Sequence, residues 1–320
     1  MGRAIVDQDI TPTDRVIDGL GDGWEVSVGI DGDEETLHEE LSGYDVAFVT
    51  SRIPLSRAVI ERTTGLSVIG KLGTGIDSVD VDAAREVGIT VTHTPGHNAL
   101  SVAEHALLLT LATARRLPTA SDLVAEGQWR DEYPLGTRLS GSTVGLVGFG
   151  NVGKRIGMLL GGFDVDILLS DPYVPSTDAE LAHGERVDLE TVLAESDVVI
   201  LTPELTDETR GLIGAPELDA MRSSAILVNV SRGPVVDEDA LVDALATDRI
   251  AGAGLDVFTE EPLGDDSPLL DLDNVVLTPH IAAVTAECRA DNIDQLVENV
   301  RRLIEDRPVL DRYVAVEGGS

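Results

Sequence analysis

The stretch from Val144 to Gly153 reads VGLVGFGNVG and is the most informative part of the chain. Its apolar first half predicts a buried strand, and residues 154–160 after it predict a helix. The second half has glycines at the spacing Gly-x-Gly-x-x-Gly, which is typical of the turn between strand and helix in dinucleotide-binding sheets. The stretch therefore predicts such a turn, surrounded by an α/β sheet.

The three glycines and the start of the helix have separate roles in this prediction. Gly148 permits the tight turn after the strand, Gly150 lets the backbone approach a pyrophosphate, and Gly153 allows close helix–strand packing. The first helical residues, Asn151 and Val152, offer free N–H groups and the positive end of the helix dipole to the phosphates. We therefore predict that these five residues bind the cofactor.

An acidic residue after the next predicted strand indicates which cofactor this is. Asp171 lies in the sequence Ser170-Asp171-Pro172, at the distance from the glycines where a carboxylate accepts hydrogen bonds from the ribose hydroxyls of NAD. The same carboxylate would repel the 2′-phosphate of NADP, and no arginine follows it directly. We predict NAD as the cofactor, with NADP as the alternative.

Strand-like and helix-like segments alternate in two parts of the chain. The strand candidates of the first part are 4–6, 25–28, 46–49, 67–69 and 89–92. Those of the second part are 144–147, 166–169, 198–201, 225–230, 253–257 and 275–278. Such alternation predicts an α/β fold with two Rossmann-like domains, each with a parallel sheet. We expect a nucleotide-binding domain at 99–285, inserted into a substrate domain made of 1–98 and 286–320, with a long apolar helix over 98–116 that is either an interface helix or plain core.

Chemically competent side chains follow three predicted strands of the second part. Arg232 follows strand 225–230, Asp256 and Glu261 follow the strand that begins at residue 253, and His280 follows strand 275–278. Since the carboxyl ends of parallel strands meet at one edge of a sheet, we expect these side chains at the cofactor site. An arginine can pair with the carboxylate of a 2-oxo acid, and a histidine oriented by a carboxylate can deliver the proton that hydride reduction requires.

A second glycine motif follows a predicted strand of the first part. The backbone N–H groups of Gly73, Thr74 and Gly75 could bind the substrate carboxylate from the opposite wall of the cleft. A plain turn is the alternative reading of this motif.

The charge balance excludes several classes of partner. The 320 residues carry a formal net charge of −35, and a field this negative repels nucleic acid and anionic membranes. Salt would screen the self-repulsion, so we hypothesise a halophilic protein, with an ordinary acidic protein as the alternative. The single cysteine, Cys288, excludes an intrachain disulfide. The sequence has neither a run of about 20 apolar residues nor a signal-peptide pattern, so we expect a cytoplasmic protein. Its histidines do not have the spacing of zinc ligands, so we expect no metal.

The motifs occur in the order of those of a known family. The chain resembles the D-isomer-specific 2-hydroxyacid dehydrogenases over nearly its whole length. The matching motifs are Lys71-Leu72-Gly73-Thr74-Gly75-Ile76-Asp77, the Gly148–Gly153 turn, Asn229-Val230-Ser231-Arg232-Gly233, Asp256–Pro262 and Thr278-Pro279-His280-Ile281. One departure is Ala282-Ala283-Val284, where the family often has Gly-Gly-Ser or Gly-Gly-Ala. These bulkier residues would narrow the pocket beside the histidine.

The resemblance implies a catalytic role for three residues. These are Arg232, Glu261 and His280, with Glu261 chosen over Glu260 because it directly precedes the proline. The implied activity is the NAD-dependent transfer of a hydride between nicotinamide and a pair of D-2-hydroxy acid and 2-oxo acid.

The resemblance also implies cofactor contacts and an assembly. Asp256 would contact the nicotinamide carboxamide, while Thr202, Pro203 and Val230 would line the nicotinamide pocket. Members of the family are usually homodimers through the nucleotide-binding domain, so a homodimer is expected here.

The sequence leaves the substrate open between two classes. Arg52 follows a strand of the first domain, near the point where an arginine helps to bind phosphate in phosphoglycerate dehydrogenases. A surface ion pair is the alternative role for Arg52, so a general 2-oxo acid reductase and a D-3-phosphoglycerate dehydrogenase both fit. A non-catalytic NAD(H)-sensing protein would share the fold, but retention of Arg232, Glu261 and His280 argues against it.

Overall fold

The computed structural model describes residues 1–318, leaving aside the side chains at positions 132, 176 and 181. Contacts between Cα atoms divide the chain into two units. Unit 1 consists of Met1–Asn98 together with the chain from Val284 onward, and unit 2 is Ala99–Ala283. Unit 2 is therefore inserted in sequence between the two segments of unit 1.

Unit 1 is an α/β sandwich around one sheet. Its strands are β1 (Gly2–Val6), β2 (Trp24–Val28), β3 (Val46–Val49), β4 (Val68–Lys71), β5 (Thr90–Thr92) and β13 (Val314–Val316). Its helices are α1 (Asp14–Leu20), α2 (Leu37–Leu41), α3 (Arg57–Arg62), α4 (Val81–Val87) and α12 (Ala286–Ile304). The strand order is β13-β5-β4-β3-β1-β2, and β13 pairs antiparallel to β5 while the other pairs are parallel.

Alternation of side chains along the central strands of unit 1 explains why helices cover both faces of its sheet. In β3, Ala47 and Val49 belong to one buried cluster, while Val46 and Phe48 belong to another. Because successive strand residues point to opposite faces, a strand that is apolar at every position needs cover on both sides. Burial of each Val or Phe side chain contributes about 1.5–3 kcal/mol to folding.

Unit 2 contains a larger sheet in which the strand pairs are parallel. Its strands are β6 (Thr143–Val147), β7 (Asp166–Ser170), β8 (Gly184–Arg186), β9 (Val198–Leu201), β10 (Ile226–Asn229), β11 (Gly252–Leu255) and β12 (Val275–Leu277). Its helices are α5 (Ala99–Ala114), α6 (Leu117–Ala125), α7 (Asn151–Leu160), α8 (Ser176–Leu181), α9 (Leu189–Glu195), α10 (Ala215–Ala220) and α11 (Glu238–Ala246). The strand order is β12-β11-β10-β9-β6-β7-β8.

This order creates a topological switch point in unit 2. The chain runs outward from β6 through β7 to β8, and then returns to place β9 on the other side of β6. Crossover connections therefore leave β6 and β9 in opposite directions, which opens a crevice at their carboxyl ends. The glycine turn of residues 148–153 lies at this crevice, directly after β6.

The predicted fold class, α/β with two Rossmann-like parallel sheets, is confirmed. Two strands were not predicted, β8 and β13, because each has three residues and β8 exposes the side chains of Glu185 and Arg186. The apolar helix expected over 98–116 is α5, and a left-handed residue, Arg116, separates it from α6. Within residues 1–318, the helices lack the combination of length and apolar character that crossing a bilayer requires.

Candidate active site

The glycine turn after β6 combines two closely packed glycines with one open glycine. Gly148 has φ of 87°, and a Cβ atom there would lie 2.7 Å from the backbone nitrogen of Pro203. A Cβ atom at Gly153 would lie 2.4 Å from the carbonyl oxygen of Gly148. At Gly150, by contrast, no atom lies within 4 Å of the Cβ position. The space above Gly150 is therefore available to a ligand, whereas the other two glycines are required by packing.

A cavity of about 1080 Å³ opens above this turn, at the switch point of the sheet. Residues that follow β6, β7, β8 and β9 form its walls. They include Gly148, Gly150, Asp171–Val174, Arg186–Leu189, Thr202–Glu204, Thr206–Thr209 and Leu212. The volume is slightly above the roughly 300–1,000 Å³ range that is typical of small-molecule and cofactor sites.

The carboxylate of Asp171 is held at the wall of this cavity by backbone N–H groups. Its Oδ2 atom accepts a hydrogen bond from Phe149 N–H at 2.7 Å, and its Oδ1 atom accepts one from Tyr173 N–H at 2.9 Å. Each carboxylate oxygen has a further lone pair, so Asp171 can still accept hydrogen bonds from two hydroxyl groups of a ligand. The glycine turn thus orients the acidic residue that follows the next strand.

The rim of the cavity carries charged groups that sequence reasoning missed. The hydroxyl of Tyr173 donates a hydrogen bond to Glu208, and this bond raises the pKa of Tyr173. On the same rim, Arg186 donates to the carbonyl oxygen of Pro172 at 3.3 Å. Glu208 and Arg186 lie far from the glycine motif in sequence, and Arg186 belongs to strand β8, which was not predicted. Tyr173 is the one member of this rim that the sequence could have indicated, because it lies two residues after Asp171.

The other predicted cofactor residues take several positions. Thr202 and Pro203 line the cavity, and the Thr202 hydroxyl donates to the carbonyl oxygen of Gly148 at 2.8 Å. Asn151 and Val152 begin α7, as the first turn of the helix. Val230, however, is buried in the core of unit 2 with 8% of its surface exposed, so the structure does not place its side chain on the cavity wall.

A histidine and a carboxylate form a hydrogen-bonded pair after strands β11 and β12. The Nδ1 atom of His280 lies 2.7 Å from Oε2 of Glu261. The other oxygen of Glu261 accepts a hydrogen bond from Phe258 N–H at 3.0 Å, which fixes the orientation of the carboxylate. Since Nδ1 is bound to Glu261, the Nε2 atom of His280 is the ring nitrogen that is left to face a substrate.

The turn that carries Arg232 packs directly against the turn that leads to Glu261. A Cβ atom at Gly233 would lie 1.9 Å from the carbonyl group of Phe258, so the two backbones are in contact. Asn229 donates to the carbonyl oxygen of Arg232 at 3.0 Å, and the guanidinium of Arg232 donates to Ser231 O at 2.8 Å. Adjacent parallel strands β10, β11 and β12 thus bring Arg232, Glu261 and His280 to one edge of the sheet.

Asp256, the residue that follows β11, is enclosed by hydrogen bonds near this edge. Its side chain is buried, with 1% of the residue exposed. Burial raises its pKa, but hydrogen bonds from His105, the Thr278 hydroxyl and the N–H groups of Ile281 and Ala282 outweigh burial and hold the pKa below its usual value. These hydrogen bonds hold the carboxylate in one orientation, and its contact with a nicotinamide carboxamide stays a prediction.

In unit 1, the motif of Gly73, Thr74 and Gly75 is a tight turn anchored to its own unit. Gly73 has φ of 99°, and its N–H group donates to the Thr94 hydroxyl at 3.0 Å. The Thr74 hydroxyl donates to Asn98 at 3.0 Å, and the Thr74 carbonyl lies 2.9 Å from Nδ1 of His93. The N–H group of Gly73 is therefore committed within the protein, which restricts the predicted substrate contact to Thr74 and Gly75.

The structure also argues against Arg52 as a ligand for phosphate. Its guanidinium contacts the carboxylates of Asp7 and Asp9 and donates to the backbone carbonyls of Ile30 and Asp31. Two carboxylates neutralise its charge and would repel a phosphate, and four contacts occupy most of its five N–H donors. The ion-pair alternative for Arg52 is therefore the one that the structure favours.

Comparison with known proteins identifies the family. Residues 107–282 match the model of the D-isomer specific 2-hydroxyacid dehydrogenase NAD binding domain. The matched residues are more than half of the chain and lie within unit 2. The chain therefore belongs to the D-isomer-specific 2-hydroxyacid dehydrogenase family, as its motifs indicated, and unit 2 contains the family's NAD-binding domain.

Curated relatives in this family carry different names. The chain is 39% identical over 287 residues to D-3-phosphoglycerate dehydrogenase from Archaeoglobus fulgidus, a match that covers 90% of this chain and 54% of the relative. It is 39% identical over 270 residues to hydroxypyruvate reductase from Thermotoga maritima, which covers 84% and 87% of the two chains. The chain thus spans about half the length of the first relative and most of the second.

A solved structure shows the same fold with a cofactor bound. D-lactate dehydrogenase from Aquifex aeolicus, complexed with NAD and lactic acid, superposes with a TM-score of 0.85 at 26% identity. The superposition covers 99% of this chain and the whole of the other. NAD is therefore a ligand of this fold, which agrees with the cofactor predicted from Asp171.

Proposed function

We propose that the chain is an NAD-dependent dehydrogenase that interconverts a D-2-hydroxy acid and a 2-oxo acid. The observation that carries this proposal is the 2.7 Å contact between His280 Nδ1 and Glu261 Oε2, at the edge of the sheet that also bears the cavity. A histidine paired in this way is suited to proton transfer, and the family provides the chemical context. In this proposal unit 2 binds the cofactor and supplies the catalytic residues, while unit 1 supplies further groups that bind the substrate.

The residues around the cavity fit NAD. The open space above Gly150 and the N-terminus of α7 suit a pyrophosphate, while Asp171 retains lone pairs for two ribose hydroxyls. Glu208 adds a second carboxylate to the Asp171 side of the rim, which would oppose a 2′-phosphate. NAD is therefore the preferred cofactor, and Arg186 on the rim is the feature that would favour NADP.

The proposed mechanism assigns one task to each catalytic residue. When NADH is bound, it supplies the hydride. The guanidinium of Arg232 binds the substrate carboxylate and polarises the ketone oxygen. The imidazolium form of His280 donates its Nε2 proton to that oxygen as the carbonyl carbon is reduced and becomes a neutral imidazole, while Glu261 accepts the hydrogen bond from Nδ1–H and stabilises the ring in this orientation. In unit 1, the N–H groups of Thr74 and Gly75 are the proposed further donors to the carboxylate.

The proposed substrate is an unphosphorylated 2-oxo acid. The engagement of Arg52 by Asp7 and Asp9 supports this choice, because it removes the phosphate ligand that the sequence suggested. D-3-phosphoglycerate dehydrogenase is the second candidate, and the observation that favours it is the 39% identity to the Archaeoglobus fulgidus enzyme of that name.

We also propose a homodimer, formed through unit 2. Exposed apolar side chains occur along α5, near the end of α6 and just beyond it, which is unusual for a surface in contact with water. They are Leu100, Leu108, Leu111, Val124 and Trp129, with exposed fractions between 36% and 70%. A second copy of the chain would cover this surface.

The cellular setting is proposed from charge. A net charge of −35 supports a halophilic enzyme that binds neither nucleic acid nor anionic membranes. The proposed location is the cytoplasm, which agrees with the single cysteine. We expect the midpoint of thermal unfolding to rise between dilute buffer and molar KCl, and equal stability in both would refute the halophile hypothesis.

The decisive experiment is NADH oxidation with glyoxylate, hydroxypyruvate, pyruvate and phosphohydroxypyruvate in molar KCl. We expect turnover of unphosphorylated acids and a fall of about 10²–10⁴-fold in kcat for His280→Ala. Preference for phosphohydroxypyruvate would establish the second candidate, and a higher kcat/KM with NADPH would overturn the cofactor preference. NADH binding without turnover of any acid would indicate the NAD(H)-sensing alternative.

A glycine variant tests the proposed cofactor site directly. Gly150→Ala should weaken NADH binding by about tenfold or more because the methyl group enters the ligand's space, while the stability of the fold changes by less than about 0.5 kcal/mol. Unchanged NADH affinity in this variant would move the proposed site away from the turn.

A further inference from the structure

A second histidine lies in unit 2, behind the loop that carries His280. His105 is on α5, and its side chain is 10% exposed. Its Nε2 atom lies 2.9 Å from the Thr278 hydroxyl oxygen and 3.3 Å from Oδ1 of Asp256. The Thr278 hydroxyl donates to the same Asp256 oxygen at 2.6 Å, so it can accept a hydrogen from His105. This network fixes the proton of His105 on Nε2.

Asp256 binds three successive backbone N–H groups of the His280 loop. Its carbonyl oxygen accepts from His280 N–H at 2.9 Å. Its carboxylate accepts from Ile281 N–H at 2.9 Å and from Ala282 N–H at 2.8 Å. Successive N–H groups converge in this way when a residue among them is left-handed, and His280 has φ of 53°. Because a left-handed conformation is unfavourable for a residue other than glycine, this loop conformation requires external support.

We propose that His105, Thr278 and the buried Asp256 form a bracket that sets the backbone of His280 and thereby holds its imidazole against Glu261. His105 is a positioning residue in this bracket, because it binds the carboxylate and the hydroxyl without reaching the reacting atoms. The expected effect of the bracket on turnover rests on the proposed function, whereas its effect on the His280 loop rests only on the geometry within unit 2. Asp256 acts through the loop in this arrangement, which accounts for its full enclosure.

The choice of His105 follows from what else surrounds the carboxylate. The loop N–H groups belong to the segment that the carboxylate holds, and Thr278 stands at the start of that segment, where its N–H group donates to Leu255 O at 2.9 Å. His105 comes from α5, which packs against β10, β11 and β12. It is therefore the member that ties the carboxylate to a rigid element outside the loop. Loss of this tie would let the carboxylate and the loop shift together, and a displacement of about 1 Å can lower a rate about 100-fold.

Paired substitutions at His105 test the proposal. His105→Leu removes the donor, and His105→Gln retains an N–H group that can reach the same oxygens. We expect His105→Leu to lower kcat for the preferred 2-oxo acid by about 10- to 100-fold, with the NADH dissociation constant within about twofold of wild type. His105→Gln should recover most of the loss. Thr110→Val, which removes a buried hydroxyl bound to Ala106 O on the same helix, is the matched control and should leave kcat unchanged.

A spectroscopic measurement tests the bracket independently of turnover. Long-range ¹H–¹⁵N correlation of histidine-labelled protein reports which ring nitrogen carries the proton, with His280→Ala identifying the His280 signals. Neutral His280 should hold its proton on Nδ1 in wild type and in His105→Gln, because Nδ1–H donates to Glu261. In His105→Leu the signals should shift toward the Nε2–H form. Unchanged His280 signals in a folded His105→Leu protein would overturn the proposal.

A double variant separates this proposal from the proposed function. If His105 acts through His280, His105→Leu should cause no further loss in a His280→Ala background. The same fold-loss in both backgrounds would overturn the bracket. If His280→Ala itself retained wild-type kcat, the proposed proton donor would be wrong, and the His280 spectrum would still decide whether the bracket exists.

Discussion

Two buried carboxylates, Asp7 in unit 1 and Asp256 in unit 2, differ in the basic side chain that contacts them. Both lie directly after a parallel strand, and their exposed fractions are 0% and 1%. Asp7 forms an ion pair with Arg52 and also accepts hydrogen bonds from the Thr50 hydroxyl and from the N–H groups of Thr50 and Asp9. Asp256 is bound by backbone N–H groups, a hydroxyl and His105.

The difference determines which side chains remain available for chemistry. An arginine that neutralises a buried carboxylate is itself neutralised, so Arg52 no longer offers a free charge to a substrate. Backbone N–H groups that bind a carboxylate instead fix a loop, and the side chain on that loop stays exposed. His280 is 49% exposed at its side chain although its backbone is tightly held. A buried carboxylate can therefore either form an ion pair that makes a basic side chain unavailable to a substrate, or hold a loop that positions a catalytic side chain.

The largest expected contrast between the two carboxylates is in turnover. Asp256→Asn should lower kcat by about 100-fold because its amide group would oppose a loop N–H group, whereas Asp7→Asn should leave kcat within about twofold of wild type. Steady-state kinetics with NADH and the preferred 2-oxo acid measure both variants. A loss of NADH affinity in Asp256→Asn, with kcat retained, would instead support the nicotinamide contact that the family resemblance implies.

Removal of the arginine tests the unit 1 side of the comparison through stability. Arg52→Ala leaves the Asp7 carboxylate buried without its cation, so the free energy of unfolding should fall by about 3 kcal/mol. Urea unfolding in molar KCl measures this change, and Arg52→Ala combined with Asp7→Asn should recover part of it. The ratio of kcat/KM for phosphorylated and unphosphorylated substrates should not change, and a selective loss for the phosphorylated one would restore Arg52 as a phosphate ligand.

Two threonines offer a smaller, matched comparison. Thr50 and Thr278 each donate a hydroxyl to a buried carboxylate, so Thr50→Val and Thr278→Val should each lower the free energy of unfolding by about 1–2 kcal/mol. Only Thr278→Val should also lower kcat, because Thr278 belongs to the bracket under His280. An equal effect of both variants on kcat would remove the distinction drawn between the two sites.

The smallest effect concerns pH. The pKa of Asp256 is lowered from its ordinary value of 3.8 in the folded protein, so its ionised form stabilises the fold above that value and loses this contribution as pH falls through the folded pKa. The difference in unfolding free energy between wild type and Asp256→Asn should therefore shrink on acidification below about pH 4. A difference that grows as pH falls would contradict the lowered pKa.

Local sequence patterns predicted the fold class because each pattern reports a short-range requirement. The glycines at 148 and 153 are needed by contacts within one turn, and the apolar strands must be covered on both faces. The strands β8 and β13 escaped prediction because three residues are too few to show a period, and β8 also has polar residues at Glu185 and Arg186. Strand β13 also pairs antiparallel to β5, and its partner lies more than 200 residues away in sequence.

Candidate site residues could be predicted from the sequence where they directly follow a predicted strand. Arg232, Glu261 and His280 each follow one of three adjacent strands, and parallel order places such positions together. The roles of Arg52 and Asp256 were not predictable in this way, because they depend on whether a side chain is already bound. Arg52 meets Asp7 from a different strand, and Asp256 meets His105 across about 150 residues of chain.

The sequence by itself determined the α/β class, the glycine turn with its acidic partner Asp171, and the family, because these depend on residue types at fixed short spacings. Only the tertiary structure decided which charged side chains are engaged by partners within the protein and which remain exposed to a ligand. Hydrogen-bond donors and acceptors are satisfied by whichever partners the fold brings within about 3 Å, and those partners come from distant segments. Arg52 is therefore an ion-pair residue, and His105 lies beside Asp256, for reasons that no local pattern contains.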